Sequence, residues 1–136
     1  MADFQKSDTA ARTAVLVVED DPVIRKLIKI QLSGFQLDVF EAATAHAALD
    51  ACRAQTPALV FLDIGLPDGS GVDVCSEIKR LYPNTVVCMI SGVVGREGRE
   101  KSFGAGCSAY LLKPFGSSEF NTLVTKLLAG ITGTMH

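Results

Sequence analysis

Charge is scarce in this 136-residue chain, with 21% Asp, Glu, Lys and Arg against 48% hydrophobic residues. A disordered chain has the opposite balance, so the bulk of this one folds. Thirteen basic against fifteen acidic residues leave a net charge of −2. With no basic excess to neutralise a phosphate backbone, direct nucleic-acid binding is not expected. No apolar run approaches the roughly 20 residues of a membrane span. The first thirteen residues are polar and lack the apolar core of a secretory signal. The four cysteines (Cys52, Cys75, Cys88, Cys107) form no CxxC pair. Their spacing reads as buried, reduced thiols in a cytoplasmic protein. Neither an internal repeat nor a low-complexity linker is present, and the length suits one domain.

What the chain does contain is an alternation of β-branched runs and helical patterns. Ala14-Val-Leu-Val-Val18 is continuously apolar, as in a strand covered on both faces. Pro22 suits a first helical position, and Val23, Ile24, Leu27, Ile28 and Leu32 then recur at helical spacing until Gly34. A second strand spans Leu37 to Phe40. Thr44 is placed to cap an Ala-rich helix that ends near Gln55, ahead of Pro57. Ala58 to Leu62 is a third strand and runs into a loop dense in turn residues, Asp63 to Gly71. A third helix covers Val72 to Leu81, and a fourth strand Thr85 to Ile90. The fourth helix, Arg96 to Phe103, is hemmed in by Gly92, Gly95, Gly98, Gly104 and Gly106. Each interior Gly weakens a helix by about 1 kcal/mol relative to Ala. The stretch from Gly92 to Gly106 is therefore expected to be the most mobile. Ala109 to Lys113 is a fifth strand, and Ser117 is placed to cap a last helix through Leu128.

Alternating strands and helices predict an α/β fold: a doubly wound, five-stranded parallel sheet with helices on both faces. In such sheets the reactive site lies beyond the carboxyl ends of the strands. Glu19 and Asp20 follow the first strand, Asp63 the third, Ser91 the fourth and Lys113 the fifth. Taken singly, each has a plain explanation as a cap, a turn or a solvated edge. Their convergence on one edge does not. Close carboxylates from separate strands repel, and a hard divalent cation such as Mg2+ relieves this. Asp20 and Asp63 are the candidate direct ligands, with Glu19 acting through water. Lys113 adds a positive charge and Ser91 a hydrogen-bond donor. Together they make an electrophilic cradle for a phosphoryl group, with Asp63 as nucleophile and an aspartyl phosphate as the product.

These residues resemble the response-regulator receiver domain of two-component signalling. The resemblance covers about residues 13–129. It rests on Val17-Val18-Glu19-Asp20-Asp21-Pro22, Leu62-Asp63-Ile-Gly-Leu-Pro67-Asp-Gly-Ser-Gly71, Ile90-Ser91-Gly92 and Tyr110-Leu-Leu-Lys113-Pro114-Phe115. It implies a flavodoxin-like strand order 2-1-3-4-5. It further implies Asp63 as phosphoacceptor, a metal bound by Asp20, Asp63, the Gly65 carbonyl and Glu19, and Lys113 as the phosphate-binding lysine. Ser91 and Tyr110 would be the switch pair, and the Lys113–Pro114 bond cis. The implied phosphodonor is a sensor histidine kinase or histidine phosphotransfer protein. A downstream protein would bind the face made by the fourth helix, fifth strand and fifth helix. Such a domain is no enzyme beyond catalysing its own phosphorylation and dephosphorylation.

Gly65 and Val93, two positions beyond Asp63 and Ser91, offer no polar side chain to orient a hydrolytic water. A long-lived phosphorylated state is therefore expected. Two rival readings are weaker. A small-molecule phosphohydrolase of similar topology usually carries a second acid two residues beyond its nucleophile, where Gly65 stands. A nucleotide- or flavin-binding module needs a Gly-rich phosphate loop after the first strand, where Glu-Asp-Asp-Pro stands. The expected organisation is a flexible lead over 1–12, the receiver domain over 13–130 and a tail over 131–136. This leaves open a stand-alone regulator or the receiver of a larger protein. His46 is expected at the surface of the second helix.

Overall fold

The computed structural model describes residues 12–92 and 96–132. The expected lead (apart from Arg12), Val93, Gly95 and the end of the tail lie outside the described residues. Five strands, β1 (Thr13–Val18), β2 (Leu37–Ala42), β3 (Leu59–Asp63), β4 (Val86–Ser91) and β5 (Ala109–Leu112), pair in parallel in the order β2-β1-β3-β4-β5. The connecting helices are α1 (Pro22–Leu32), α2 (Ala45–Gln55), α3 (Gly71–Leu81), α4 (Arg96–Gly104) and α5 (Ser117–Thr132). This is the flavodoxin-like order.

Successive strand residues point to opposite faces, so each central strand divides its side chains between two cores. Val15, Val17, Leu59, Phe61, Cys88 and Ile90 meet Ile28 and Leu32 of α1 and Phe120 and Val124 of α5. Leu16, Val18, Val60, Leu62, Val87 and Met89 meet Ala48 and Cys52 of α2 and Val74, Cys75 and Ile78 of α3. Complete burial of each such side chain stabilises by about 1.5–3 kcal/mol. With both faces covered, β1 and β3 have no polar face to show, which explains their unbroken apolar runs. All four cysteines are buried free thiols, as expected. Burial pushes Cys52 and Cys75 up to about 11 and Cys88 up to about 12.

Local signals set the helix ends. Asp21 Oδ1 accepts from the Val23 and Ile24 amides ahead of α1. Thr44 Oγ1 accepts from Ala47 N at 3.0 Å, so the expected cap of α2 is in place. Ser70 Oγ accepts from Val72 N at 3.1 Å and starts α3.

Besides shifts of one or two residues at strand and helix ends, several details differ from the sequence-based expectations. Ser117 is the first residue of α5 rather than its cap: the Gly116 carbonyl accepts from Phe120 N, and Ser117 Oγ accepts from Gln31 Nε2 of α1. The same helix continues past Leu128 as far as Thr132, because Leu127, Leu128 and Ile131 still pack on the α1/α5 core. The loop after β3 holds a small antiparallel hairpin, Gly65–Leu66 against Gly69–Ser70. Finally, Val23 and Leu27 do not join the core face of α1, being 66% and 54% exposed.

Candidate functional site

The sheet delivers its polar residues to one edge. In register, Val18 at the end of β1 pairs with Leu62, and Ile90 with Asp63, so Glu19 and Asp63 emerge side by side. Ser91 is the last residue of β4 and pairs with Leu112, the residue before Lys113. The Lys113 amide donates to the Ser91 carbonyl at 2.8 Å, which holds the two chain ends together. The Lys113–Pro114 peptide bond is cis, as the resemblance implied.

Carboxylate oxygens of Glu19, Asp20 and Asp63 all lie within 4.8 Å of one another. Glu19 and Asp63 are buried, whereas Asp20 is exposed. Lys113 Nζ stands 2.8 Å from Glu19 Oε1 and 3.5 Å from Asp63 Oδ1. The closer contact lies outside hydrogen-bond alignment and acts as a charge pairing. Asp63 Oδ1 also accepts from Gly65 N at 3.3 Å, and Glu19 Oε2 from Asp21 N at 3.1 Å. Burial pushes the Glu19 pKa up, with Lys113 and the Asp21 amide pulling the other way and the Asp63 charge adding to the rise. Burial works to lower the Lys113 pKa, but Glu19 and Asp63 outweigh it and hold the ammonium above its usual value. One cation thus stands against three carboxylates, and the negative charge is only partly balanced. An all-oxygen donor set with an open side is what a hard divalent cation accepts.

Every expected residue of the cluster arrives: Glu19, Asp20, Asp63, Ser91 and Lys113 share the edge. Gly65 follows on the hairpin, and a Cβ built there meets nothing within 4 Å. Tyr110 is a half-buried residue of β5 whose ring lies 5.7 Å from the Arg99 guanidinium of α4; Arg99 also covers Phe103 at 5.2 Å. His46 is on the surface of α2, where its ring is 3.4 Å from Asp50.

Two supporting residues were given no role by the sequence alone. Asp68 reaches from the hairpin to the start of α2, accepting from Ala45 N at 2.6 Å and His46 N at 3.1 Å. A turn-rich loop gave no hint of it. The second is Arg25, on the inner part of α1.

Beside Lys113, a cavity of about 200 Å³ opens between α1 and the β5–α5 loop, lined by Ile24, Leu27, Ile28, Gln31, Pro114 and Phe115. Val23, Leu27 and the 56% exposed Ile30 continue this apolar surface along α1.

The family model described as response regulator receiver domain matches residues 15–125. The chain is 35% identical over 107 residues to the KDP operon transcriptional regulatory protein KdpE of Escherichia coli (strain K12), covering 79% of this chain and 47% of that protein. Among solved structures, a CheY-like response regulator receiver domain protein from Methanospirillum hungatei JF-1 superposes with a TM-score of 0.85 at 27% identity, covering 89% of this chain and 97% of that one. The BeF3-activated DrrB receiver domain gives 0.80 at 30% identity, covering 86% and 97%. The chain spans about half the length of the first curated relatives it matches.

Proposed function

The chain belongs to the response-regulator receiver family of two-component signalling, and from that premise we propose that Asp63 is the residue phosphorylated. The observation that carries this reading is the position of Lys113 Nζ, between Glu19 Oε1 and Asp63 Oδ1 at the carboxyl edge of the sheet. Asp63 Oδ1 is engaged by Lys113 and the Gly65 amide, so Oδ2 is the attacking oxygen. It forms a bond to phosphorus while the bond from phosphorus to the donor's imidazole nitrogen breaks, and the nitrogen keeps the electron pair. Lys113 balances the charge gathering on the phosphoryl oxygens. Ser91 offers its hydroxyl to one of them.

The donor set fits Mg2+, which Asp20, Asp63 and the Gly65 carbonyl would hold directly and Glu19 through water. When bound, it would supply charge neutralisation at the phosphoryl group. Autocatalysis is limited to this group's arrival and loss, and the small-molecule phosphohydrolase reading is set aside. Ser91, once it donates to the phosphoryl group, pulls the segment that follows it inward, lets Tyr110 move and redraws the α4–β5–α5 face for a downstream protein. The protein works in the cytoplasm, as a receiver domain over about 13–130.

The donor is a histidine kinase or histidine phosphotransfer protein. Its docking face is the apolar stripe of α1, since the cavity that this stripe adjoins is also lined by Lys113. Acetyl phosphate with Mg2+ should add one hydroxylamine-labile phosphoryl group to the native chain and none to Asp63→Asn. Labelling retained in Asp63→Asn refutes the assignment. Leu27→Asp should leave labelling by acetyl phosphate intact while impairing transfer from a phosphorylated histidine protein.

A further inference from the structure

We infer that Arg25 is a positioning residue for the acidic side of the site: its guanidinium fixes the peptide plane between Glu19 and Asp20 and thereby aims both carboxylates. Its Nη1 donates to the Glu19 carbonyl at 2.7 Å, and its Nε to Glu41 Oε1 at 2.8 Å. The Glu19 carbonyl belongs to the planar peptide unit that leads into Asp20. Holding that oxygen sets the direction in which the Asp20 side chain leaves the backbone.

The remaining freedom of Glu19 is taken up nearby. Its amide donates to the Ala42 carbonyl at 3.0 Å, and its Oε2 accepts from Asp21 N. On these contacts the Glu19 backbone is held at both of its polar groups, and Arg25 is the side chain that holds the carbonyl. Glu41, one residue before the end of β2, steadies the guanidinium from the far side, with its second oxygen 2.6 Å from Lys29 Nζ. The network therefore ties α1 to the ends of β1 and β2 directly behind the carboxylates.

A guanidinium is a rigid fork that serves two acceptors at once, whereas an ammonium on a flexible stem is a point charge. Arg25→Lys keeps the charge and loses the fork. The proposal rests on the reading of Glu19, Asp20 and Asp63 as the cation site. Its test is Mg2+ titration by calorimetry, at a temperature where each variant is folded, beside thermal melts of the same samples. Partners behind metal ligands change affinity by about 10–100-fold, and the backbone route makes about tenfold the expected weakening in Arg25→Ala and Arg25→Lys. Glu41→Gln should fall between these and the native chain. Asp38→Asn breaks the Arg12–Asp38 pair at the opposite end of β2. It should lower the melting temperature comparably to Glu41→Gln and leave Mg2+ affinity unchanged.

An ordinary ion pair would lower melting temperatures without moving affinity. Mg2+ affinity within about twofold of native in folded Arg25→Lys and Glu41→Gln overturns the inference. Should Asp20→Ala also retain native affinity, it is the cation site that fails, a different result from loss of the Arg25 role alone. If Arg25→Ala does not fold, the Lys and Gln variants carry the test.

Discussion

The two sides of the site are held in different ways. On the β1–α1 side, Glu19 is buried and its backbone is fastened by the Ala42 carbonyl and by Arg25, which Glu41 braces, while Ile28 and Leu32 anchor α1 in the core. On the opposite side, α4 has Ser102 as its one buried residue among the described side chains, and Ser102 Oγ bonds within the helix to Gly98 O at 2.8 Å. Toward β5, the Arg99 guanidinium of α4 stands over the Tyr110 ring. A binding wall gains from being preorganised, because its charges then need no rearrangement when the ligand arrives. A wall that must adopt two positions gains from having little burial to lose. The contrast fits the proposal that the β1–α1 side binds and the α4 side signals.

Glycine substitutions break this comparison most sharply. A Cβ at Gly71 would stand 2.2 Å from the Asp63 carbonyl oxygen and 2.8 Å from Ile64 Cα, both backbone atoms. Gly71→Ala should cost about 3 kcal/mol or more in urea unfolding, since nothing near can yield without displacing Asp63. In α4 the same change reverses sign. The added methyl at Gly98 meets only the Tyr110 hydroxyl, at 3.6 Å, so Gly98→Ala should stabilise by up to about 1 kcal/mol. Destabilisation by Gly98→Ala would mean that α4 is packed as tightly as α1.

Charge relief comes next. Asp20→Ala should raise stability without Mg2+ by about 1 kcal/mol, because it removes repulsion from Glu19 and Asp63, and should abolish the rise in melting temperature on adding Mg2+. An unchanged Mg2+ response contradicts its ligand role. The smallest effect concerns Glu41, whose pKa is lowered chiefly by Lys29 and then by Arg25. A lowered native pKa stabilises above the ordinary value of 4.5 and is lost as pH falls through the native value. Glu41 is 39% exposed on its side chain, so the contribution is a few tenths of a kcal/mol. Glu41→Gln should flatten the acid limb of the stability curve below about pH 5 by that amount.

Much of this was legible in the sequence for a physical reason. Glu19, Asp20, Asp63, Ser91 and Lys113 each follow an apolar run, and a parallel sheet sends all such ends to one edge. Thr44 and Pro57 bracket α2 by local chemistry alone. The supporting contacts were not legible, because they join segments distant in sequence: Asp68 caps α2 from 23 residues away, and Arg25 meets Glu41 across 16. Ser117 looked like a cap and instead accepts from Gln31, 86 residues earlier. Helical spacing also leaves the core face of α1 undefined. Periodicity finds apolar residues without distinguishing those covered by the sheet from those left exposed, and Val23 and Leu27 are of the second kind.

Hydrogen exchange of the unmodified protein, with and without beryllofluoride and Mg2+, tests the contrast between the two sides most directly. Amides of α4 from Gly98 to Gly104 should exchange faster than those of α1 from Ile24 to Leu32 before the mimic is added. With it, protection should rise across α4 and β5 while α1 stays as it was. Equal protection of α4 and α1 in the unmodified protein would contradict the account.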